Sequence, residues 1–147
     1  MSDTSDLIKL YSARILALTA DIPHLGRLDA PQVSVRKRSP LCGATVTVDL
    51  DMQDGRVARF GQDVKACALG QAAAAVLGQA VIGRTPEELD RAAAQLEAML
   101  KQDGPVPDAP FEGFEALLPA REFKNRHTSI LLAVQAAAEA SHQAVPV

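Results

Sequence analysis

Two cysteines and one histidine are the side chains best suited to metal or sulfur chemistry, and each lies at the boundary of a predicted element. Cys42 lies in a turn bounded by proline and glycine, Cys67 opens an alanine-rich run typical of a helix, and His127 begins the last predicted helix. The positive end of a helix dipole favours a thiolate and a neutral imidazole. Zinc prefers such ligands, and thiolates also hold iron–sulfur clusters. The three residues therefore predict a metal site with three protein ligands and one open position.

Spacing alone leaves other interpretations open, because the chain has no CxxC or HxxxH pair. Cys67 also fits a buried structural cysteine, Cys42 a loop thiol, and His127 a capping or surface histidine. The other histidines, His24 and His142, lie in a Pro/Gly loop and near the C-terminal end, and we do not expect them to be ligands.

The composition favours one domain spanning residues 1–147. The chain has no Trp and one Tyr, so its core must be aliphatic and rich in alanine. A net charge of -3 and a pI near 5.6 give no electrostatic case for nucleic acid. There is no apolar run of the roughly 18 residues needed for a membrane span, and the acidic start Met1 to Asp6 is unlike a signal peptide. We therefore expect a cytoplasmic protein with reduced thiols and no membrane partner.

The first half of the chain predicts one helix and three antiparallel strands. Apolar residues at helical spacing predict the helix, which Thr4 or Ser5 would cap. Alternation of period two predicts strands with one solvated face, and Asp54-Gly55 is typical of a hairpin turn. The predicted elements are a helix over Asp6–Leu18 and strands over Val33–Arg38, Thr45–Asp51 and Arg56–Val64.

The basic run 36–38 is interpreted as the solvated side of the first strand, with partner docking as the alternative.

The second half of the chain predicts helices. A capping box with proline at the first helical position begins the second of them at Thr85. A short apolar turn is expected over Phe111–Leu118, and residues 143–147 are expected to fray. The predicted helices are Cys67–Val81, a helix from Thr85 to about Leu100, and Asn125–Ser141. This order predicts an α+β fold, a three-stranded antiparallel sheet with helices packed on one face.

The motifs around both cysteines resemble those of the NifU/IscU/SufU-type iron–sulfur cluster scaffold family. Ser-Pro-Leu-Cys-Gly is similar to the family's Pro-x-Cys-Gly-Asp, and Ala-Cys-Ala-Leu-Gly-Gln-Ala to its Gly-Cys followed by small and hydroxyl residues. The similarity extends from the first helix to about Ser141, and the long stretch after Cys67 is most similar to the SufU-type branch. The resemblance implies the U-type scaffold fold with an N-terminal helix.

The resemblance also implies an assembly platform rather than a classical enzyme. A cysteine desulfurase delivers sulfur as a persulfide, iron joins it, and a transient cluster, of the 2Fe–2S kind, forms before transfer to apo iron–sulfur proteins or cluster carriers. Cys42 matches the first family cysteine, which accepts sulfur in the SufU-type branch, and Cys67 matches the second. In that branch the site also binds zinc.

Two departures from the family pattern affect the ligand set. Ala44 stands where the family has aspartate, and the third cysteine is missing. Aligning the run from His127 with the family's Cys-Ala-Thr-Leu makes His127 its replacement, and another alignment puts Lys124 there. We therefore predict Cys42, Cys67 and His127 as ligands. Alternatives are a zinc-dependent, persulfide-accepting sulfurtransferase and a docking protein that holds no metal.

Overall fold

The computed structural model describes residues 11–40 and 43–144. The regular elements are α1 (Ala13–Ala20), β1 (Val33–Arg38), β2 (Thr45–Gln53), β3 (Arg56–Lys65), α2 (Ala68–Ala80), α3 (Pro86–Lys101) and α4 (His127–Gln143), with 3₁₀ turns over Glu112–Glu122 and Lys124–Arg126. The strands form an antiparallel sheet of order β1-β2-β3, and helices pack on one of its faces. The predicted α+β class is confirmed. Within the described ranges, no helix is long and apolar enough to cross a membrane.

Alternation along β1 decides which side chains meet the helices. Val35 points into the helix layer and is buried, whereas Arg36 and Arg38 point away from it and are exposed. Lys37 lies on the helix side, where its Nζ is 3.3 Å from Oε1 of Glu139 on α4. The predicted solvated side therefore holds the two arginines and not the lysine between them.

The core between sheet and helices is built mainly from small and aliphatic side chains. Ala72–Ala75 of α2 are buried, and so are Val48 and Leu50 of the central strand β2. Helix α4 contacts α2, α3, β1 and β2, and its predicted apolar positions are buried at Ile130, Leu131, Val134 and Ala138. Burial of this apolar surface is the main source of stability.

Two glycines let other parts of the chain approach α2 closely. A Cβ on Gly70 would lie 2.6 Å from Oγ of Ser129, and a Cβ on Gly78 would lie 2.9 Å from the carbonyl oxygen of Pro23. Real Cβ atoms do not approach so closely, so α4 can pack on α2 at this depth only because residue 70 has no side chain.

The helix starts follow capping chemistry. Thr85 Oγ1 accepts from the amide of Glu88 at 3.1 Å, and Glu88 Oε1 accepts from the amide of Thr85 at 3.0 Å, so the predicted capping box is confirmed. Ser12 Oγ accepts from the amide of Ile15 at 3.3 Å and caps α1. The prediction of one unbroken helix over Asp6–Leu18 is wrong, because Tyr11 and Ser12 are not helical and α1 runs from Ala13 to Ala20. Residues 6–10 and the predicted caps Thr4 and Ser5 lie outside the described ranges.

The segment before α4 differs from the prediction. The expected short turn is a longer 3₁₀ stretch over Glu112–Glu122, and α4 begins at His127 instead of Asn125. Arg121 anchors this segment, because its guanidinium donates to the carbonyl oxygens of Met99 at 2.8 Å and Gly104 at 3.0 Å. Such long-range bonds fix irregular backbone that no local periodicity signals.

A loop of residues 24–32, which we call the strap, crosses one end of the outer face of the sheet. At the β3 edge, the amide of Gly26 donates to the carbonyl of Gln62 at 2.7 Å, and the amide of Gln62 donates to the carbonyl of His24 at 3.0 Å. Farther along, Arg27 Nε donates to Oδ2 of Asp49 at 2.7 Å. The strap thereby buries the side chain of Asp49, a β2 residue that alternation alone would expose to water.

Candidate functional site

Cys67 lies where β3 passes into α2, at the N-cap position of the helix. Its backbone is extended, with φ -66° and ψ 170°, and its thiol is half-buried. Oγ of Ser129, on the first turn of α4, lies 3.6 Å from Sγ of Cys67. Glycine at position 70 permits this contact, because any side chain there would displace Ser129. The thiol therefore lies at the junction of two helices and the end of the sheet.

The surroundings of Cys67 favour its anionic form. Burial raises the pKa of the thiol, but the nearby amides of Gly70 and Leu69, the hydroxyl of Ser129 and the side chain of Arg126 stabilise the thiolate, outweigh burial and hold the pKa below its ordinary value. The predicted activation of this thiol at a helix start thus has a concrete set of donors. A thiolate is the form that binds metals and attacks sulfur.

Ser129 and Arg126 are contacts of Cys67 that the sequence analysis did not identify. Residues three apart on a helix share one face, so Arg126 and Ser129 reach the same thiol from the start of α4. Ser129 aligns with a hydroxyl residue two positions after the family's third cysteine. This position could have pointed to Ser129 if the face of α4 that meets Cys67 had been known.

His127 lies on another side of α4. Residues two apart on a helix are rotated by about 200°, so the ring of His127 points away from the face that carries Ser129. The ring is buried, and Nε2 donates to the carbonyl oxygens of Ala120 at 3.0 Å and Arg121 at 3.2 Å. In the described residues no hydrogen bond joins His127 to Cys67, and the role of His127 as a ligand stays a prediction.

Beside His127 lies a cavity of about 510 Å³, which Lys101 and Lys124 also line. His127, the predicted third ligand, and Lys124, which another alignment puts at the same family position, therefore both line this cavity.

Cys42 lies outside the described residues, but the ends of its turn are well defined. The amide of Gly43 donates to the carbonyl of Ser39 at 2.9 Å, and the amide of Ser39 donates to the carbonyl of Ala44 at 2.8 Å. Gly43 has φ +71°, a conformation that favours glycine. Thr45 pairs with Lys65 across β2 and β3, so the turn of Cys42 and the approach to Cys67 lie at the same end of the sheet.

The described residues supply only part of a metal ligand set. They contain no group of three or more His, Cys, Asp or Glu side chains placed to hold a metal ion. Ala44, at the position of the family's aspartate, is buried and contributes a methyl group to the core. What the described site offers is one activated thiol, hydrogen-bond donors around it, and the base of a turn that carries a second thiol.

Comparison with known proteins gives the family. No family model matches the sequence, and no curated protein matches it significantly. The crystal structure of a NifU-like N-terminal protein from Brucella abortus matches with a TM-score of 0.91 and 40% identity, over 95% of this chain and 96% of the other. The chain therefore belongs to the NifU/IscU/SufU family.

Two further structures share the fold. One, from Fervidobacterium islandicum AW-1, is described as a putative iron–sulfur cluster assembly scaffold protein for the SUF system; its TM-score is 0.80 and its identity 18%, over 91% of this chain and 98% of the other. The second, a hypothetical protein, has a TM-score of 0.72 and 25% identity, over 87% of this chain and 96% of the other. The predicted U-type fold is confirmed.

Proposed function

We propose that this protein is a scaffold on which iron–sulfur clusters are assembled and from which they are passed on. The observation that carries the proposal is the activated thiol of Cys67 beside the turn of Cys42, in a chain 40% identical to a NifU-like domain. A neighbour of the same fold is described as a putative scaffold of this kind. Here the iron, or zinc in its place, and the growing cluster are cargo.

The proposed ligands are Cys42 and Cys67, with His127 as the third residue of the chain. Nε2 of His127 is occupied by the carbonyl oxygens of Ala120 and Arg121, so ligation through that atom requires the ring to leave both. With Ala44 in place of a carboxylate, the remaining positions fall to water or to a side chain of a partner. An incomplete ligand set suits a scaffold, because weakly held cargo is released readily.

Sulfur enters from a cysteine desulfurase in this proposal. The thiolate of Cys42 attacks the terminal sulfur of the persulfide on the desulfurase, and a new sulfur–sulfur bond forms as the old one breaks. The cysteine thiolate of the desulfurase is the leaving group, so the transfer needs no external oxidant or reductant. Apo iron–sulfur proteins or cluster carriers would receive the completed cluster.

Anaerobic reconstitution with iron, cysteine and a desulfurase tests the scaffold role. We expect charge-transfer absorption and matching iron and sulfide contents in the wild type, and loss of both in Cys42→Ser and Cys67→Ser. Losing a ligand should weaken binding by more than the roughly 10- to 100-fold typical of losing a group that only orients one. An unchanged spectrum in Cys67→Ser would refute the proposal.

His127→Ala, with His142→Ala as its control, tests the third ligand. His142 lies at the other end of α4, where its Nε2 is 2.6 Å from Oδ2 of Asp90. If His127 binds metal, only its removal should lower the zinc affinity. Equal zinc affinity in both variants would leave Cys42 and Cys67 as the only ligands from this chain.

A second candidate function is sulfur transfer without a cluster. The donors around Cys67 stabilise an anionic sulfur in the absence of metal, which supports this alternative. Mass spectrometry after incubation with a desulfurase and cysteine would then find persulfide on Cys42 in protein that forms no cluster. Sulfur found only on Cys67 would contradict the assignment of Cys42 as the acceptor.

A further inference from the structure

Among the residues that the structure describes, the ion pairs leave one group of exposed cations without a carboxylate partner. Nine of the 14 Lys and Arg side chains in the described ranges form ion pairs with carboxylates. Three of the other five, Arg36, Arg38 and Lys65, lie on the outer face of the sheet and are exposed. We call these three residues the cationic face.

The strand register brings the cationic face together. Arg38 pairs with Thr45, which pairs with Lys65, so one row across the three strands carries a cation at each edge. Arg36 lies two residues from Arg38 on the same side of β1, about 7 Å away. These distances match the reach of a short peptide that contacts several side chains at once.

Two residues of the cationic face, Arg36 and Lys65, form a shallow depression with Arg27 of the strap. The depression has a volume of about 280 Å³ and is lined by Arg27, Arg36, Thr45, Thr47, Asp63 and Lys65. Arg27 is held by Asp49, so it closes the depression toward the strap. Asp63 is the one acidic side chain in the lining.

We propose that the cationic face docks an acidic segment of a protein partner. Guanidinium groups bind carboxylates through paired hydrogen bonds, and the hydroxyl of Thr47 between them can donate a further bond. A nucleic acid or an anionic membrane is a poorer fit, because the chain has a net charge of -3 and Asp63 lies among the cations. The complementary surface is a few carboxylates, with room for one basic residue beside Asp63.

The cationic face lies close to Cys67 in the fold. Lys65 is two residues before Cys67, and Thr45 follows the turn that carries Cys42. A partner held on the cationic face would therefore lie close to Cys67 and to the described residues that follow Cys42 in the sequence. The proposal rests on the charges of the metal-free protein and does not depend on the scaffold role.

Fluorescence anisotropy tests the proposal with a labelled peptide in which glutamate alternates with serine. We expect binding that weakens with salt, and no binding of the matched glutamine peptide. Replacing Arg36, Arg38 and Lys65 together by glutamine should weaken binding by about tenfold, and Asp63→Asn should strengthen it by about twofold. In amide NMR spectra of labelled protein, the peptide should shift signals of β1 and of the ends of β2 and β3.

The control variant removes the same number of positive charges from other surfaces of the protein. Arg14, Arg91 and Lys101 are partly exposed and ion-paired on other surfaces, and their joint replacement by glutamine should leave peptide affinity within about twofold of the wild type. Equal losses in both triple variants would overturn the proposal, as would peptide-induced shifts away from the sheet. Tighter binding of single-stranded DNA or phosphatidylserine vesicles through the same residues would replace the protein partner with that ligand.

Discussion

The two ends of the sheet differ in how completely their polar groups are satisfied. At the strap end (the strap with Asp49 and Gln62), the buried carboxylate of Asp49 accepts hydrogen bonds from Arg27, Ser34 and the amide of Leu28. At the thiol end (residues 43–45 and 65–67 with Arg126 and Ser129), the cations have no carboxylate partner within residues 11–40 and 43–144, and the thiol of Cys67 is half-exposed.

This difference separates stability from function. The satisfied, buried carboxylate of Asp49 fixes the strap on the sheet, although Oε1 of Gln62 at the same end has no hydrogen-bond partner among the described residues. At the thiol end, cations without a carboxylate partner among the described residues and an activated thiol remain accessible to solvent, and they contribute little to folding. Substitutions at the strap end should therefore change mainly the free energy of unfolding. Substitutions at the thiol end should change mainly the reactivity of Cys67.

The largest expected effect is at the strap end. Asp49→Asn removes the charge that Arg27 and Ser34 contact and should lower the free energy of unfolding by about 1.5–3 kcal/mol. Urea denaturation measures the loss. Alkylation of Cys67 by iodoacetamide should stay at the wild-type rate, and a large change in that rate would show that the two ends are coupled.

Acid unfolding gives the pH dependence of the same carboxylate. Burial raises the pKa of Asp49, but hydrogen bonds from Arg27, Ser34 and the amide of Leu28 hold it below its ordinary value. Its contribution is therefore complete above the unfolded value of about 3.9 and is lost as the pH falls through the lower folded value. The stability of Asp49→Asn should fall less steeply below pH 4 than that of the wild type, and parallel curves would contradict this role.

The next largest effect distinguishes Gly70 from Gly78, two glycines of helix α2. Gly70→Ala and Gly78→Ala both overfill a close contact of α2, so each should cost about 1–3 kcal/mol of stability. Only Gly70→Ala should also slow the alkylation of Cys67, because it displaces Ser129. Equal alkylation rates in the two variants would mean that the packing of α4 does not set the environment of the thiol.

The smallest effect concerns one hydrogen bond. Ser129→Ala should raise the pKa of Cys67 and slow its alkylation at neutral pH by about fivefold, the equivalent of about 1 kcal/mol. The matched control is Ser141→Ala, a buried serine on the same helix whose hydroxyl donates to the carbonyl of Ala138 at 2.7 Å. The account fails here if both serine variants react at the same rate.

Features with a local signal could be predicted from the sequence. The strands follow from alternation, α3 from its capping box, and the position of Cys67 from the alanine-rich run after it. The family motifs around Cys42 and Cys67 also predicted the fold. Two short patterns at the right separation identify an architecture that periodicity alone leaves open.

Features that depend on long-range contacts could not be predicted. The strap is held by bonds to β2 and β3 from a loop without periodicity, and the contact of Ser129 with Cys67 depends on how α4 packs on α2. The orientation of His127 depends on where α4 begins, and the 3₁₀ turn before it moves that start by two residues. Each residue of shift turns a side chain by about 100° around the helix.

Cluster transfer tests the central claim most directly. The protein is reconstituted anaerobically, mixed with a 2Fe–2S apo-ferredoxin and an iron chelator, and the recipient is followed by circular dichroism. We predict that the spectrum of the ferredoxin cluster appears despite the chelator and faster than from equal free iron and sulfide, and that Cys67→Ser transfers nothing. Transfer that the chelator abolishes, or that Cys67→Ser supports at the wild-type rate, would contradict the account.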